Sequence, residues 1–420
     1  MKRTLLVVAT VVGCAVSASA DRLLIPMDQA QRNHLKAYGV AFWALERGAL
    51  VEWLLNYRGG SFLLQADQLI EREVKIRGVG VSRISESRAA AIYAEVDRGN
   101  MEVVSLEKAP KIAIYTPPNS QPWDDAVTMA LEYAQIGYEK IWDEEVLNGE
   151  LSEFDWLHLH HEDFTGQYGK FYRSERHRPW YQEQQRLYET WARRLGFQKV
   201  SRLKKEVART IRTYVEQGGF LFAMCSATDT FDIALSASGT DIVHEVYDGD
   251  PADADAQSRL DFKNTVAFEN FRLMEDPFYY EFSDIDTTPT PLLQTRGAEA
   301  DYFTLFEFSA KHDPVPTMLT QCHTNVVNGF VGQTTDFKRQ LIKDSVVILA
   351  EVEGSDAVRY IHGQVGRGTF TFYGGHDPED YRHHVGEPPT QLALFPTSPG
   401  YRLILNNVLF PAAKKKERKT

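Results

Sequence analysis

Cysteine is scarce in this chain, three in 420 residues, so the setting of each one carries information. Cys225 lies in Phe220-Leu221-Phe222-Ala223-Met224-Cys225-Ser226-Ala227-Thr228-Asp229. There a buried-strand composition runs into small residues, and a helix follows from about Asp229. A sharp strand-to-helix turn lifts its central side chain above the sheet and aims backbone N–H groups at it. Such a setting lowers a thiol pKa and can hold an oxyanion, here through N–H groups near Ser226. The expectation is a reactive Cys225 titrating below the ~8.5 of a free thiol. A later strand, Thr369-Phe370-Thr371-Phe372-Tyr373, ends in Gly374-Gly375 and presents His376, with Asp377 and Glu379 just beyond. Cysteine, imidazole and carboxylate are the parts of a nucleophilic triad. The competing reading is a structural cysteine packed at a strand end.

A second constellation is His158-Leu159-His160-His161-Glu162-Asp163. On a strand His158 and His160 share one face and could chelate a metal. No HExxH-type spacing supports zinc, so hydrogen-bonded histidines are the favoured reading, with neither metal nor cofactor assigned. At the carboxyl end of a strand in an open α/β sheet, His160, His161 and Glu162 face the crevice where Cys225 is expected. The aspartates Asp248, Asp250, Asp253 and Asp255 suit Ca²⁺ in number, but Pro251 interrupts them and a distal glutamate is missing. They read as a solvated acidic loop. Cys322, beside His323, has no elbow around it, and a disulfide to Cys225 would rule out the nucleophile.

The elements that must position these residues alternate between strand and helix. Residues 21–108 form an N-terminal α/β segment, with helices near 34–46, 66–76 and 86–97 and strands near 51–57 and 101–106. A core follows at 109–237: strands near 111–116, 138–142, 155–160 and 220–223, and helices near 124–136 and 204–216. An aromatic, charged stretch at 164–200 interrupts it. Residues 238–344 lose the rhythm and read as a loop-rich insertion. The core resumes at 345–412 with a strand, a hairpin through Gly366-Arg367-Gly368 and a closing helix. This order predicts an α/β fold with a doubly wound, mostly parallel sheet.

The pairing of Cys225 with His376-Asp377-Pro378-Glu379 resembles the class I glutamine amidotransferase-like superfamily, whose fold is flavodoxin-like. The resemblance implies Cys225 as nucleophile, His376 as base and Glu379 as the orienting acid. The chain departs from the family pattern at Ala223 and Ala227, which stand where that elbow has glycines, and in the extra residue between His376 and Pro378. Leu24-Ile25-Pro26-Met27-Asp28, Leu54-Leu55-Asn56-Tyr57-Arg58-Gly59-Gly60, Gly332-Gln333-Thr334-Thr335 and Leu405-Asn406-Asn407-Val408-Leu409-Phe410-Pro411 resemble an exported bacterial family that carries the label asparagine synthetase B. The residues that label needs are missing. Position 2 is Lys2 rather than cysteine, and none of the three Gly-Gly pairs opens a Ser-Gly-Gly-x-Asp-Ser pyrophosphate loop.

Lys2 and Arg3, the apolar stretch 5–12 and Ala18-Ser19-Ala20 read as a signal peptide over residues 1–20, with maturation at Asp21. Export to the periplasm or the medium is expected. A lipid anchor through Cys14 ranks second because the apolar stretch before it is short. Losing Lys2 and Arg3 would take the net charge from −12 to −14, which disfavours nucleic acid as a partner. No later stretch approaches the ~18 apolar residues of a membrane span. The basic end, 413–420, reads as a solvated tail. The expected function is thiol-dependent hydrolysis of an amide or related acyl bond. The alternative is a non-catalytic protein that holds a small molecule, peptide or glycan in the same crevice with Trp123, Tyr168, Phe171, Tyr172 and Trp180.

Overall fold

The computed structural model describes residues 21–119, 123–287 and 297–413. Residues 1–20, where the signal peptide and Cys14 were expected to matter, and residues 414–420 lie outside the described residues.

The N-terminal stretch makes an antiparallel sheet of β1 (Arg22–Ile25), β2 (Val51–Leu55), β3 (Ser61–Gln65), β4 (Ser82–Ile84) and β5 (Glu102–Leu106), in the order β4-β1-β3-β2-β5. Alternation along the strands separates two faces. Val51, Trp53 and Leu55 join the main core, while Leu54 packs outward with Leu24, Leu63, Ile92 and Val96. Ile92 and Val96 belong to the helix Glu86–Arg98, which covers the outer face. The helix His34–Glu46 lies on the inner face and buries ten of its thirteen residues. That is possible because it is packed on two sides. The helices Ala126–Ala134 and Pro399–Leu409 press against it from the second sheet.

The second sheet has ten strands. Five are parallel: β6 (Ile112–Tyr115), β7 (Glu139–Ile141), β8 (Trp156–Leu159), β9 (Phe220–Met224) and β15 (Gly368–Tyr373), side by side as β7-β6-β8-β9-β15. β6 and β9 are apolar on both faces, as strands covered on both sides must be, while the edge strand β7 exposes Glu139 and Lys140. In β9, Phe220, Phe222 and Met224 enter the core shared with the N-terminal sheet, while Leu221 and Ala223 enter a second core on the other side. The helices Asp143–Leu147, Pro179–Arg194, Val200–Glu216 and Ala227–Ser236 close that second core.

The remaining strands are antiparallel: β10 (Tyr302–Leu305), β11 (Val326–Asn328), β12 (Phe337–Lys338), β13 (Val347–Glu351) and β14 (Ala357–Val365). The fold class is therefore α/β with a mixed sheet, which corrects the expectation of a mostly parallel one. The cause is local. β14 and β15 are joined by the tight turn at Gly366-Arg367, and a hairpin can only be antiparallel. β10, β11 and β12 come from the loop-rich stretch 238–344, which extends the edge of the same sheet. A buried ion triad holds it there. Arg359 on β14 donates to both oxygens of Asp301 (2.8 and 2.9 Å) and to Phe330 O, and pairs with Asp336. No described helix is long and apolar enough to cross a membrane.

Candidate functional site

β9 ends at Met224, and the helix Ala227–Ser236 begins three residues later, leaving Cys225 and Ser226 to make the turn. Cys225 adopts φ +51°, a left-handed conformation that costs a non-glycine residue of the order of 1 kcal/mol. Its neighbours hold it there. Its N–H donates to Gly375 O (3.2 Å), and its carbonyl accepts from the Thr228 N–H (3.2 Å) and hydroxyl (2.7 Å). Its Sγ accepts from the Gln333 N–H at 3.3 Å.

Gln333 belongs to a loop, 332–335, that lies over the thiol. Gly332 is required at that crossing: a Cβ there would stand 2.9 Å from Gly375 C and His376 N, and 3.1 Å from the sulfur. Gln333 Nε2 donates to Gly169 O and Tyr280 O, both at 2.8 Å, and the Thr334 hydroxyl donates to Asp229 Oδ1 at 3.0 Å. So covered, Cys225 is buried, and burial pushes its thiol up to about 11 against the N–H groups of Gln333, Ser226 and Thr334. The expectation of a lowered thiol pKa is overturned. The elbow supplies the N–H groups, but desolvation outweighs them.

His376 follows β15 and His160 follows β8. Their rings meet with His160 Nε2 2.9 Å from His376 Nδ1. One ring nitrogen of each and the Cys225 sulfur lie within 4.8 Å of one another. Asp125 stands behind His160, its Oδ2 3.3 Å from His160 Nδ1 and 3.1 Å from His158 Nε2. Burial alone would raise the Asp125 carboxyl, but the two histidines pull it well below the usual carboxylate range. Asp125 Oδ2 reaches His160 Nδ1 in distance without hydrogen-bond direction, and the His160 Nε2–His376 Nδ1 contact needs a proton on one of the two. With that proton on His376 Nδ1, His376 Nε2 is the basic nitrogen. That atom is buried without a hydrogen-bond partner. Burial, with His160 and His383 nearby, holds His376 well below its ordinary pKa, so it rests neutral.

The carboxylates expected to orient His376 point elsewhere. Asp377 Oδ1 accepts from the Tyr401 hydroxyl (2.8 Å) and the Glu379 N–H (2.9 Å), and Glu379 pairs with Ser398. The extra residue between His376 and Pro378 turns both toward the closing helix. Glu162 lines the crevice with His160 and His161, as expected, but its carboxylate is engaged away from His376. Its carboxylate lies 3.9 Å from Lys204 Nζ, among Asp143, Tyr115 and Tyr188, and burial raises it to about 7. His161 packs edge-on against Trp123, ring centroids 4.8 Å apart. The Ser226 hydroxyl is buried without a partner among the described residues.

Asp125 was not singled out from the sequence. It is the N-cap of the helix after β6, its Oδ1 accepting from the Thr128 N–H at 2.8 Å. That cap role was the available signal, since a cap at the carboxyl end of a parallel strand faces the crevice.

The crevice there has a volume of about 790 Å³. Asp124, Asp125, His160 and His161 line it together with Trp123, Trp142 and Trp191. Cys225 and His376 sit behind the histidines rather than on its wall. Of the expected ligand-holding aromatics only Trp123 lines it. Tyr168 packs instead on Tyr181, Tyr188 and Tyr247, Phe171 and Trp180 against Trp123, and Tyr172 on Tyr247. Cys225 and Cys322 are both free thiols. In the acidic loop Asp248 and Asp250 converge with Asp241 on Lys199 at 2.7–3.1 Å, and Asp253 pairs with Arg259.

No protein-family model matches this chain, and no curated protein is significantly similar to it. Among solved structures, it is similar to two cytoplasmic proteins of Salmonella typhimurium. The first is 11% identical over 73% of this chain and 100% of the other, with a TM-score of 0.35. The second is 12% identical over 72% and 100%, with a TM-score of 0.34. An exo-β-1,4-mannosidase of an Opitutaceae bacterium is 12% identical over 63% of this chain and 31% of its own, with a TM-score of 0.26. Likenesses this distant establish neither the fold nor an activity.

Proposed function

We propose that this chain is an exported, class I glutamine amidotransferase-like protein that hydrolyses an amide or related acyl bond through Cys225. It is not an ATP-dependent asparagine synthetase. The observation that carries the reading is the convergence at one point of a cysteine at φ +51° on a strand-to-helix turn, a backbone N–H on its sulfur, and two imidazoles within 4.8 Å. The parallel strands, numbered by chain order within the core, run 2-1-3-4-5. That order is the flavodoxin-like one, and it supports the superfamily reading.

In this mechanism Cys225 Sγ attacks the acyl carbon as its proton passes to His376. Backbone N–H groups of Ser226, Gln333 and Thr334 stabilise the oxyanion. The proton then goes to the leaving amine as the C–N bond breaks. Water, activated by His376, hydrolyses the thioester. His160 and Asp125 take the orienting place that Glu379 holds in the family pattern. A thiol near 11 is protonated at neutral pH, so deprotonation must accompany attack rather than precede it.

A panel of small amides and peptides, assayed for amine release, tests the reading. Turnover should be present in the native protein and absent in Cys225→Ser. Turnover that survives Cys225→Ser would sink it. One observation favours the binding-protein alternative. The large crevice is walled by Trp123, Trp142 and Trp191, and the thiol is not on its wall. Ligand binding by that crevice with no amine release in any arm would establish it.

A further inference from the structure

On the side of His376 away from His160, several buried polar atoms lack partners. Neither carboxylate oxygen of Asp124 makes a hydrogen bond, and neither His383 Nε2 nor His376 Nε2 has one. Yet His383 Nε2 lies only 2.7 Å from Asp124 Oδ1. The approach has the distance of a hydrogen bond without its direction. One ligand atom each from Asp124, His376 and His383 lie within 4.8 Å of one another. Lone pairs that converge this closely repel unless a proton or a metal ion lies between them.

The outer nitrogens of the two imidazoles are already engaged. His383 Nδ1 meets Asp380 Oδ2 at 2.9 Å, and His376 Nδ1 meets His160 Nε2 at 2.9 Å. A carboxylate on the outer nitrogen leaves the lone pair of His383 on Nε2, facing inward. This is how metal-binding histidines are oriented. The two rings stack with centroids 5.0 Å apart and planes 18° apart. Asp124 also lines the crevice, which gives an ion a path and an open coordination position.

We propose that Asp124, His376 and His383 form a binding site for one Zn²⁺-like divalent cation, with Asp380 as the outer partner of His383. Two imidazoles and one carboxylate suit zinc and its first-row neighbours, whereas Ca²⁺ and Mg²⁺ prefer all-oxygen sets. The neighbouring trio His160, Cys225 and His376 is the weaker candidate. Its two imidazoles already satisfy each other. The proposal goes beyond the thiol chemistry and competes with it for one atom, since a cation on His376 Nε2 occupies the lone pair that would accept the Cys225 proton; its test does not require Cys225.

The full chain, stripped with a chelator, is titrated with Zn²⁺ and separately with Co²⁺. Bound metal is measured by elemental analysis after desalting, and Tm is followed. One equivalent should be retained, and Tm should rise with Zn²⁺ but not with Ca²⁺ or Mg²⁺. Asp124→Asn and His383→Ala should abolish stoichiometric retention. Asp380→Asn should weaken binding by about tenfold. Cys225→Ser should still bind one equivalent, and the Co²⁺ complex should show no thiolate charge-transfer band. The metal-free Tm of each variant checks its fold, with His383→Gln replacing the alanine if that chain does not fold. The proposal is overturned if no equivalent is retained, or if folded Asp124 and His383 variants retain it. A thiolate–Co²⁺ band that Cys225→Ser removes would also overturn it, by placing the ion at Cys225.

Discussion

At the scale of single residues, Cys225 and His376 come within 4.8 Å of one another, while Glu379, the acid the motif implies, points away from His376. Composition around a strand end is enough to mark the strand-to-helix turn. The partner of an imidazole is a long-range fact: His376 meets His160, 216 positions away in the chain. Asp125 serves two purposes through two oxygens, and they can be separated. Asp125→Asn keeps the N-cap acceptor and removes the charge beside His160. It should slow acylation of Cys225 by at least about tenfold, less than the ~100-fold low side of direct acid–base catalysis because Asp125 acts through His160, with Tm little changed. Glu379→Gln should slow it far less. Equal effects of the two variants would return the orienting role to Glu379. Buried acids make a further prediction. Burial raises Glu162 and Asp229 to about 7 and Asp232 to about 6. Because these folded values exceed the unfolded ones, near ~4, the folded chain holds protons that the unfolded chain releases. Their contribution to stability is complete below about pH 4 and is lost as the pH rises through 6 and 7. Urea midpoints measured from pH 5 to 8 should fall less steeply in Asp229→Asn than in the native chain. Parallel slopes would contradict this.

At the scale of elements, the loop 332–335 governs access to the thiol. Gly332-Gln333-Thr334-Thr335 stood out in the sequence only as part of a resemblance. Its position above Cys225 was not legible, because a loop has no periodicity and its contacts cross from the extended edge to the core. Gly332→Ala forces a Cβ against Gly375 and the sulfur. Overpacking of this kind costs roughly 1–3 kcal/mol. The loop should lift, Tm should fall, and alkylation of Cys225 should speed up. Thr334→Val, which removes only the hydrogen bond to Asp229, should speed it up with a smaller loss of stability. Slower or unchanged alkylation in both variants would show that the loop is not the cover. The strands and helices were more legible. β9 appears where an unbroken apolar run places it, and β8 and β15 where strand-forming composition does. The helix Pro179–Arg194 was missed because only Tyr181, Tyr188 and Ala192 are buried, too few to stand out from its polar and aromatic residues. β3 was missed because Ser61-Phe62-Leu63-Leu64-Gln65 is short and lies directly behind a glycine pair.

At the scale of the whole molecule, two sheets share one hydrophobic core. Trp53 and Phe62 of the first sheet and Phe222 and Met224 of the second belong to the same cluster, with the helix His34–Glu46 between them. Removing residues 21–108 would strip that helix from the helices Ala126–Ala134 and Pro399–Leu409. A fragment spanning 109–413 should therefore expose apolar surface and fail to show a cooperative thermal transition. A sharp transition in that fragment would show that the second sheet folds alone. One antiparallel pair was legible as the hairpin through Gly366-Arg367-Gly368; the short edge strands Tyr302–Leu305, Val326–Asn328 and Phe337–Lys338 were not, since they alternate too briefly to stand out. What the whole arrangement does is place Cys225 at the carboxyl end of the parallel strands, under a loop and beside two imidazoles. The central claim is that this buried thiol is the reactive one. Cys322, half-exposed and without an elbow, is the internal control. Native protein treated with a thiol-directed acyl probe near neutral pH, followed by peptide mass mapping, compares the two rates directly. The account predicts faster acylation at Cys225 than at Cys322, and slowing at Cys225 alone in His376→Ala. An inert Cys225 beside a labelled Cys322 would contradict it.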